Sequence, residues 1–509
     1  MSDRRPIEHV VIVGGGTAGW MTAASLSQRL SVRGIKITLV ESSDIGTVGV
    51  GEATVPAILG YFASLGLKPF DVMAATNATF KLGIEFDGWR REGHAFYHPF
   101  GRHGLEAGPV GFHSLWQKLH EAGEPYPLSD YCLATEMSYQ GRFRLPDPKP
   151  RAAFDSYDWA VHFDASLFAK FLRGYASERG IVRIDAKITG VEQNAESGFI
   201  ERLQLNTGET VCGDLFIDCS GFRGLLIQGT LKSGFNDWSH WLVCDRAVAI
   251  PCAHADVNAI TPYTRSRAKA AGWTWRIPLQ HRIGNGYVYS SRYLSDADAE
   301  AALRADLDGE ALANPNFVRF TAGHSKQLWN RNCVAIGLAS GFLEPLESTS
   351  ITLIQTGIAK LLQYFPDASC DAQLSNEYNR ISALEYERIR DFIILHYWGN
   401  QRFDEPNADN LWRHCREMIL PDSLQHKIDL FRATGHFARY QWESFFDPSW
   451  LYLYDGLGIM PATYDPFADN FALPDLKDLT KNIRADVKAM AQDAPHHADF
   501  VRQHCPAKA

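Results

Sequence analysis

HVVIVGGGTAG, residues 9–19, decides the fold. His9–Val13 is a short apolar run of the kind buried in a parallel sheet. Gly14-x-Gly16-x-x-Gly19 follows at once. A helix is expected from about Trp20 to Leu30, closed by Gly34, and a second strand over 35–40 ends at Glu41. This strand–turn–helix–strand unit suits a dinucleotide. Gly14 allows the tight turn, Gly16 lets a pyrophosphate approach the backbone, and Gly19 lets the helix lie close on the strand. Thr17 and Ala18 then stand at the helix N-terminus, where phosphates are held. Glu41 is placed to accept from ribose hydroxyls.

Outward from that unit, a Gly- and Ser-rich loop runs from Ser42 to Glu52, and Pro56 opens a helix. Residues 80–86 (FKLGIEF) read as one strand, with Lys81, Gly83 and Glu85 on one side and Leu82, Ile84 and Phe86 on the other. Residues 90–155 have little periodicity and read as a capping insertion. Residues 162–180 predict a helix capped near Asp164 and ended by Gly180. Strands alternate through 181–217, more follow at TWRIP and NGYVYSSRYL, CVAIG (333–337) is another, and a helix starts near Ser350. Residues 370–509 read mostly as helices rich in aromatics.

At 509 residues the chain exceeds one ordinary core, so a composite domain or two joined ones is expected. The net charge of −9 argues against a nucleic-acid binder. There is no apolar run long enough to span a membrane, so no membrane partner is expected. MSDRRPIEHVVIVGGG enters a strand directly, without the pattern of a secretory leader. The nine Cys contain no C-x-x-C pair, which fits reduced thiols and a cytoplasmic setting, with no metal site. Thirteen Trp suggest large aromatic pockets.

Trp273-Thr-Trp-Arg-Ile-Pro278 places two indoles two apart on a strand, hence on one face. They make either a core pair or an apolar wall. With the glycine motif, this W-x-W-x-I-P sequence resembles the flavin-dependent tryptophan halogenase family. VGVGEATVP (48–56), FKLGIEF, HFDASLF (162–168), DLFIDCSGF (214–222), GFLEPLESTSI (341–351) and GLGIMP (456–461) resemble it too. The likeness runs along nearly the whole chain, weakest at 100–160 and 370–440.

The resemblance implies an α/β fold: an FAD-binding Rossmann-like monooxygenase module (1–96 and 155–370) and a mainly helical substrate-binding part (97–154 and 371–509). It implies FAD, used as FADH2 from a separate NADH-dependent flavin reductase, together with O2 and chloride or bromide. A homodimer is compatible with it. Val48, Gly49, Glu52 and Ala53 would form a strap over the flavin, and Leu338 in NCVAIGLASG would lie near its phosphates and ribityl chain. Lys81 would either hydrogen-bond hypohalous acid or, as a neutral amine, form a haloamine. Glu347 would orient the halogenating species or take the ring proton. Thr349 and Ser350 would hold the halide by backbone N–H groups at a helix N-terminus, and Ser348 would bind substrate or lysine, or cap the helix. Trp273 and Trp275, with Ile277 and Pro278, would keep organic substrate from the flavin. His98 and Phe100 would line the aromatic pocket, with Phe445 nearby.

The family's C-terminal tyrosine pair is missing from GHFARYQWESFFDPSWLYLYDGLGIMP, so the expected substrate is an indole or another electron-rich aromatic rather than free tryptophan. The competing readings are a single-component FAD aromatic hydroxylase and a non-catalytic binding protein on the same fold.

Overall fold

The computed structural model describes residues 5–30, 34–45, 51–402 and 409–508. They form two compact units: 1–77, 163–242 and 319–387 in the first, and 78–162, 243–318 and 388–509 in the second. Segments 78–96 and 243–318, grouped from sequence with the nucleotide module, pack in the second unit.

The first unit is built on a six-stranded sheet. Its order is Trp329–Asn330, Cys333–Ala335, Leu215–Asp218, His9–Val13, Lys36–Glu41, Val182–Asp185. All neighbours pair in parallel except the first two strands, which form a hairpin. Val11, Val13, Val40 and Phe216 are buried in its core. The helix Thr17–Leu30 starts three residues before its expected beginning, directly at the glycine turn. Helix Ala165–Ser177 begins as its sequence predicts, with Asp164 accepting from the N–H groups of Ser166 and Leu167. The helix Ser350–Gln363 starts at the expected residue.

The second unit carries a seven-stranded sheet in the order Asn316–Arg319, Arg246–Ala249, Ile283–Tyr289, Gly272–Pro278, Thr264–Lys269, Gly83–Asp87, Ala95–Pro99. The stretch 80–86 is not one strand. Thr79–Lys81 pairs with Ala160–His162, whereas Gly83–Asp87 joins the seven-stranded sheet. The change falls at Leu82, whose N–H donates to Pro262 O while its own carbonyl accepts from Phe100 N. Gly83 makes the handover possible, because a Cβ there would run into the carbonyl of His98.

The stretch without sequence periodicity holds real elements: helices Phe112–Glu121 and Leu133–Tyr139 and the strand Ala95–Pro99. Phe112, Leu115, Trp116 and Leu119 share a core with Leu476, Ile483 and Val487 of the helix Leu473–Asp493. No described helix is long and apolar enough to cross a membrane.

Candidate active site: a glycine turn and a buried lysine

In the first unit, Gly14 has φ +104, and a Cβ on it would meet the carbonyl of Cys219. A Cβ on Gly19 would strike the carbonyl of Gly14, so only glycine brings the helix this close to the strand. Gly16 differs: a Cβ there would project into open space, with nothing within 4 Å. That space lies at the N-terminus of Thr17–Leu30, whose first turn carries no acidic side chain. Room and helix polarity fit a pyrophosphate, and no acidic side chain of the helix's own first turn competes for the position.

Glu41 ends its strand as expected, but its Oε1 also accepts from Arg183 Nε at 2.6 Å, and Arg183 is backed by Asp185 at 2.9 Å. Gly15, a position the motif leaves open, proves restricted, because a Cβ there would overlap the Glu41 carboxylate. Gly337 packs against Ala18 in the same way, which sets the half-buried Leu338 beside the first helix. Asp218 is fully buried and accepts from Ser220 N and Oγ, Leu226 N and Ile227 N. Its carboxylate is thus occupied in building its own turn. Val48 and Gly49 lie outside the described residues. Glu52 and Ala53 form a short strand, and desolvation pushes the Glu52 carboxyl up to about 7.

Glu347 is buried at the end of a 3-10 turn, Pro345–Glu347. Ser348 follows at φ +60, a left-handed conformation uncommon for a residue with a side chain. Thr349, not Ser348, precedes the helix, and no side-chain cap hydrogen bond is made there. The Thr349 hydroxyl is buried without a hydrogen-bond partner among the described residues. The turn therefore presents a carboxylate, an unused hydroxyl and the helix N-terminus at Ser350 together.

In the second unit Lys81 is 0% exposed. A solvated surface lysine is excluded. Its ammonium lies 5.1 Å from the centre of the Phe100 ring. The strand carrying it is pinned by two histidines that sequence reasoning did not single out. The Thr79 hydroxyl donates to Pro278 O at 2.6 Å, so it accepts from His162 Nδ1–H at 3.0 Å. His162 Nε2 must then accept from Thr264 Oγ1 at 2.9 Å. His497 Nε2 accepts from Phe80 N at 3.1 Å, and its Nδ1 donates to Ile260 O at 2.8 Å. Both rings are held neutral. Burial, then the charge of Lys81, keeps His162 well below its ordinary value, and burial lowers His497 to about 4.

Trp273 and Trp275 lie with ring centres 6.1 Å apart, and both are buried. Gly286 on the neighbouring strand faces Trp275, and a Cβ there would penetrate its indole. Trp273 continues into Trp89, Tyr397 and Trp412. Ile277 and Pro278 are buried on the same strand. His98 is buried among Phe392, Phe445 and Tyr452, with ring centres 5.9, 6.3 and 6.1 Å away. Phe445 stacks on Phe392 at 4.0 Å, and Trp450 meets Phe392 edge-on at 4.9 Å. Thus the structure brings Lys81 to Phe100, and His98 to Phe445.

The chain matches the family model described as tryptophan halogenase over residues 9–473. It is 38% identical to tryptophan 6-halogenase SttH of Streptomyces toxytricini over 455 residues, covering 85% of each protein. The solved structure of BrvH, a flavin-dependent halogenase from Brevundimonas sp. BAL3, aligns with TM-score 0.94 at 48% identity, over 98% of this chain and 99% of that one. Xcc4156, a flavin-dependent halogenase from Xanthomonas campestris, aligns with TM-score 0.94 at 45% identity, over 99% and 100%.

Proposed function

Because this chain belongs to the tryptophan halogenase family of flavin-dependent enzymes, we propose that it halogenates an indole or another electron-rich aromatic rather than free tryptophan. The observation that carries the reading is the fully buried Lys81 with its ammonium over Phe100. Burying a cation is costly unless its surroundings compensate, so a lysine placed there beside an aromatic ring is a candidate for chemistry.

Gly14, Gly16 and Gly19, the N-terminus at Thr17 and Ala18, and Glu41 would hold FAD, with Glu52, Ala53 and Leu338 beside it. Reduced flavin, supplied by a separate NADH-dependent reductase, would with dioxygen provide the oxidising equivalents that turn chloride or bromide into hypohalous acid. Thr349 and Ser350 would hold the halide at their helix N-terminus. Trp273 and Trp275 would exclude ring substrates from the space they fill.

Lys81 would donate a hydrogen bond to the oxygen of hypohalous acid and make the halogen more electrophilic; a neutral Lys81 amine would instead carry the halogen as a haloamine. In the first route the halogen–oxygen bond breaks as the carbon–halogen bond forms, and the hydroxide leaves as water with a proton from Lys81. By the family pattern, Glu347 would take the ring proton, which restores aromaticity. Regiochemistry would follow from the ring carbon held toward Lys81, with His98, Phe100 and Phe445 fixing the ring.

Two observations favour a substrate without an amino-acid backbone. The tyrosine pair is absent, and identity is higher to BrvH and Xcc4156, described only as flavin-dependent halogenases, than to SttH.

Mass spectrometry tests the reading. The protein is incubated with FAD, a flavin reductase, NADH and bromide or chloride, with indole and tryptophan in parallel. Halogenated indole, with tryptophan a poor substrate, is expected. Product from tryptophan alone contradicts the substrate assignment. A hydroxylated product made without halide or reductase would favour the hydroxylase reading.

A further inference from the structure

The helix Asp422–Thr434 turns Leu424, Lys427, Ile428 and Phe431 inward. Three of these are apolar, and the fourth is a lysine whose side chain is 4% exposed. Its ammonium lies 2.7 Å from Glu443 Oε1, and the Glu443 side chain is 8% exposed. It also contacts Ala438 O and stands 4.5 Å from the Trp450 ring and 4.9 Å from the Tyr440 ring. Trp450 meets Phe392, which stacks on Phe445 and neighbours His98. The ion pair therefore forms the polar end of the aromatic cluster assigned above to the ring substrate.

Glu443 reaches that place through a built turn. Trp442 has φ +64 and is 41% exposed, so the left-handed residue points outward as Glu443 turns in. Glu443 Oε1 takes no well-angled hydrogen bond among the described residues, so its close partner is the ammonium itself. Nearby charges are already committed: Asp391 accepts from Arg390 and Ser423, and Arg388 lies over Tyr440.

We propose that Lys427 is a specificity residue: its ammonium fills the position beside Glu443 that the ammonium of an amine-bearing aromatic would take, so the site selects rings without one. A substrate ammonium here would have to displace a tethered, desolvated one and leave Lys427 buried and unpaired. A neutral ring meets no such competition. The proposal rests on the halogenase reading above and names what excludes the zwitterionic substrate.

Lys427→Met removes the internal cation and leaves the carboxylate. The test compares kcat/KM for indole, tryptamine and tryptophan in wild type, Lys427→Met, Lys427→Arg and the double variant Lys427→Met/Glu443→Gln. It also measures the rise in melting temperature that each ligand causes without flavin. Lys427→Met is expected to raise the tryptamine-to-indole ratio of kcat/KM at least tenfold, mainly through KM, and to gain a tryptamine-dependent melting shift. Lys427→Arg is expected to keep the wild-type ratio. The double variant, neutral at both positions, is expected to fold and to show no gain.

An unchanged ratio and no tryptamine shift in Lys427→Met overturn the proposal, as does an equal gain in the double variant, which would indicate mere loosening. If Lys427→Met does not fold, the double variant decides: wild-type discrimination is expected to persist in it, and a gain for tryptamine overturns the proposal. A wild type that halogenates tryptophan better than indole, or nothing at all, overturns the functional reading and this proposal with it. A wild type that prefers indole while Lys427→Met is unaltered sinks this proposal alone.

Discussion

Two turns carry most of the function assigned to this chain, and they are made in different ways. The turn at Gly14–Gly19 is set by backbone: positions that would clash with a Cβ, and one that opens into space. The turn at Lys81–Gly83 also needs a glycine, but the strand leading into it is held by groups far away in sequence. His162, Thr264, Pro278 and His497 pin the strand that ends at Lys81. A site written in backbone geometry depends on a few adjacent residues. A site written in burial depends on partners hundreds of residues away, so it couples to the stability of the whole unit.

Substitutions distinguish the two turns. The largest expected effect is at Glu347, a chemical group on a backbone-made turn. Glu347→Gln should lower kcat by about 10²-fold or more if it takes the ring proton, with flavin affinity unchanged. Steady-state kinetics beside a flavin titration would show both. At the glycine turn the pattern should reverse. Gly14→Val forces a β-branched residue to φ +104 against Cys219, a distortion of about 3 kcal/mol. If that distortion falls on the cradle, flavin affinity drops roughly 100-fold.

At the lysine turn, stability should respond to pH. His497 is neutral in the fold down to about 4, whereas its ordinary value is 6.5. Between those values the unfolded chain binds more protons, so stability falls as pH falls through that window. The loss approaches about 3 kcal/mol by pH 4. Denaturant titrations from pH 7 to pH 4 should show it, and His497→Gln should flatten that part of the curve. The smallest effect belongs to Ser348. Ser348→Gly removes the left-handed strain at φ +60 and should stabilise the protein by about 1 kcal/mol, measured by thermal unfolding.

The same contrast explains what could be read from sequence. The nucleotide unit was legible because glycine spacing, strand length and a capping Asp164 are local signals. The break at Leu82 was not, because it depends on a hydrogen bond to Pro262, some 180 positions downstream. His162 and His497 carry no local signature and become meaningful only beside Thr79 and Phe80. Gly286 is informative only once it faces Trp275. Gly15 lies outside the spacing of the motif, and its reason is the carboxylate of Glu41. Lys427 did leave a trace, as a lysine within the apolar stripe Leu424, Ile428, Phe431. The helix Phe112–Glu121 was missed although Phe112, Leu115, Trp116 and Leu119 keep helical spacing, because the Gly- and His-rich stretch 93–111 before it masks its start and partners from 473–493 complete its core.

If a buried amine delivers halogen to the ring, Lys81→Met, an unbranched replacement that keeps the strand packed, should abolish product. Halogenated indole is counted by mass spectrometry while flavin affinity is measured on the same preparation. The account predicts loss of product by at least about 10²-fold with flavin binding intact. Regiospecific product at the wild-type rate would contradict it.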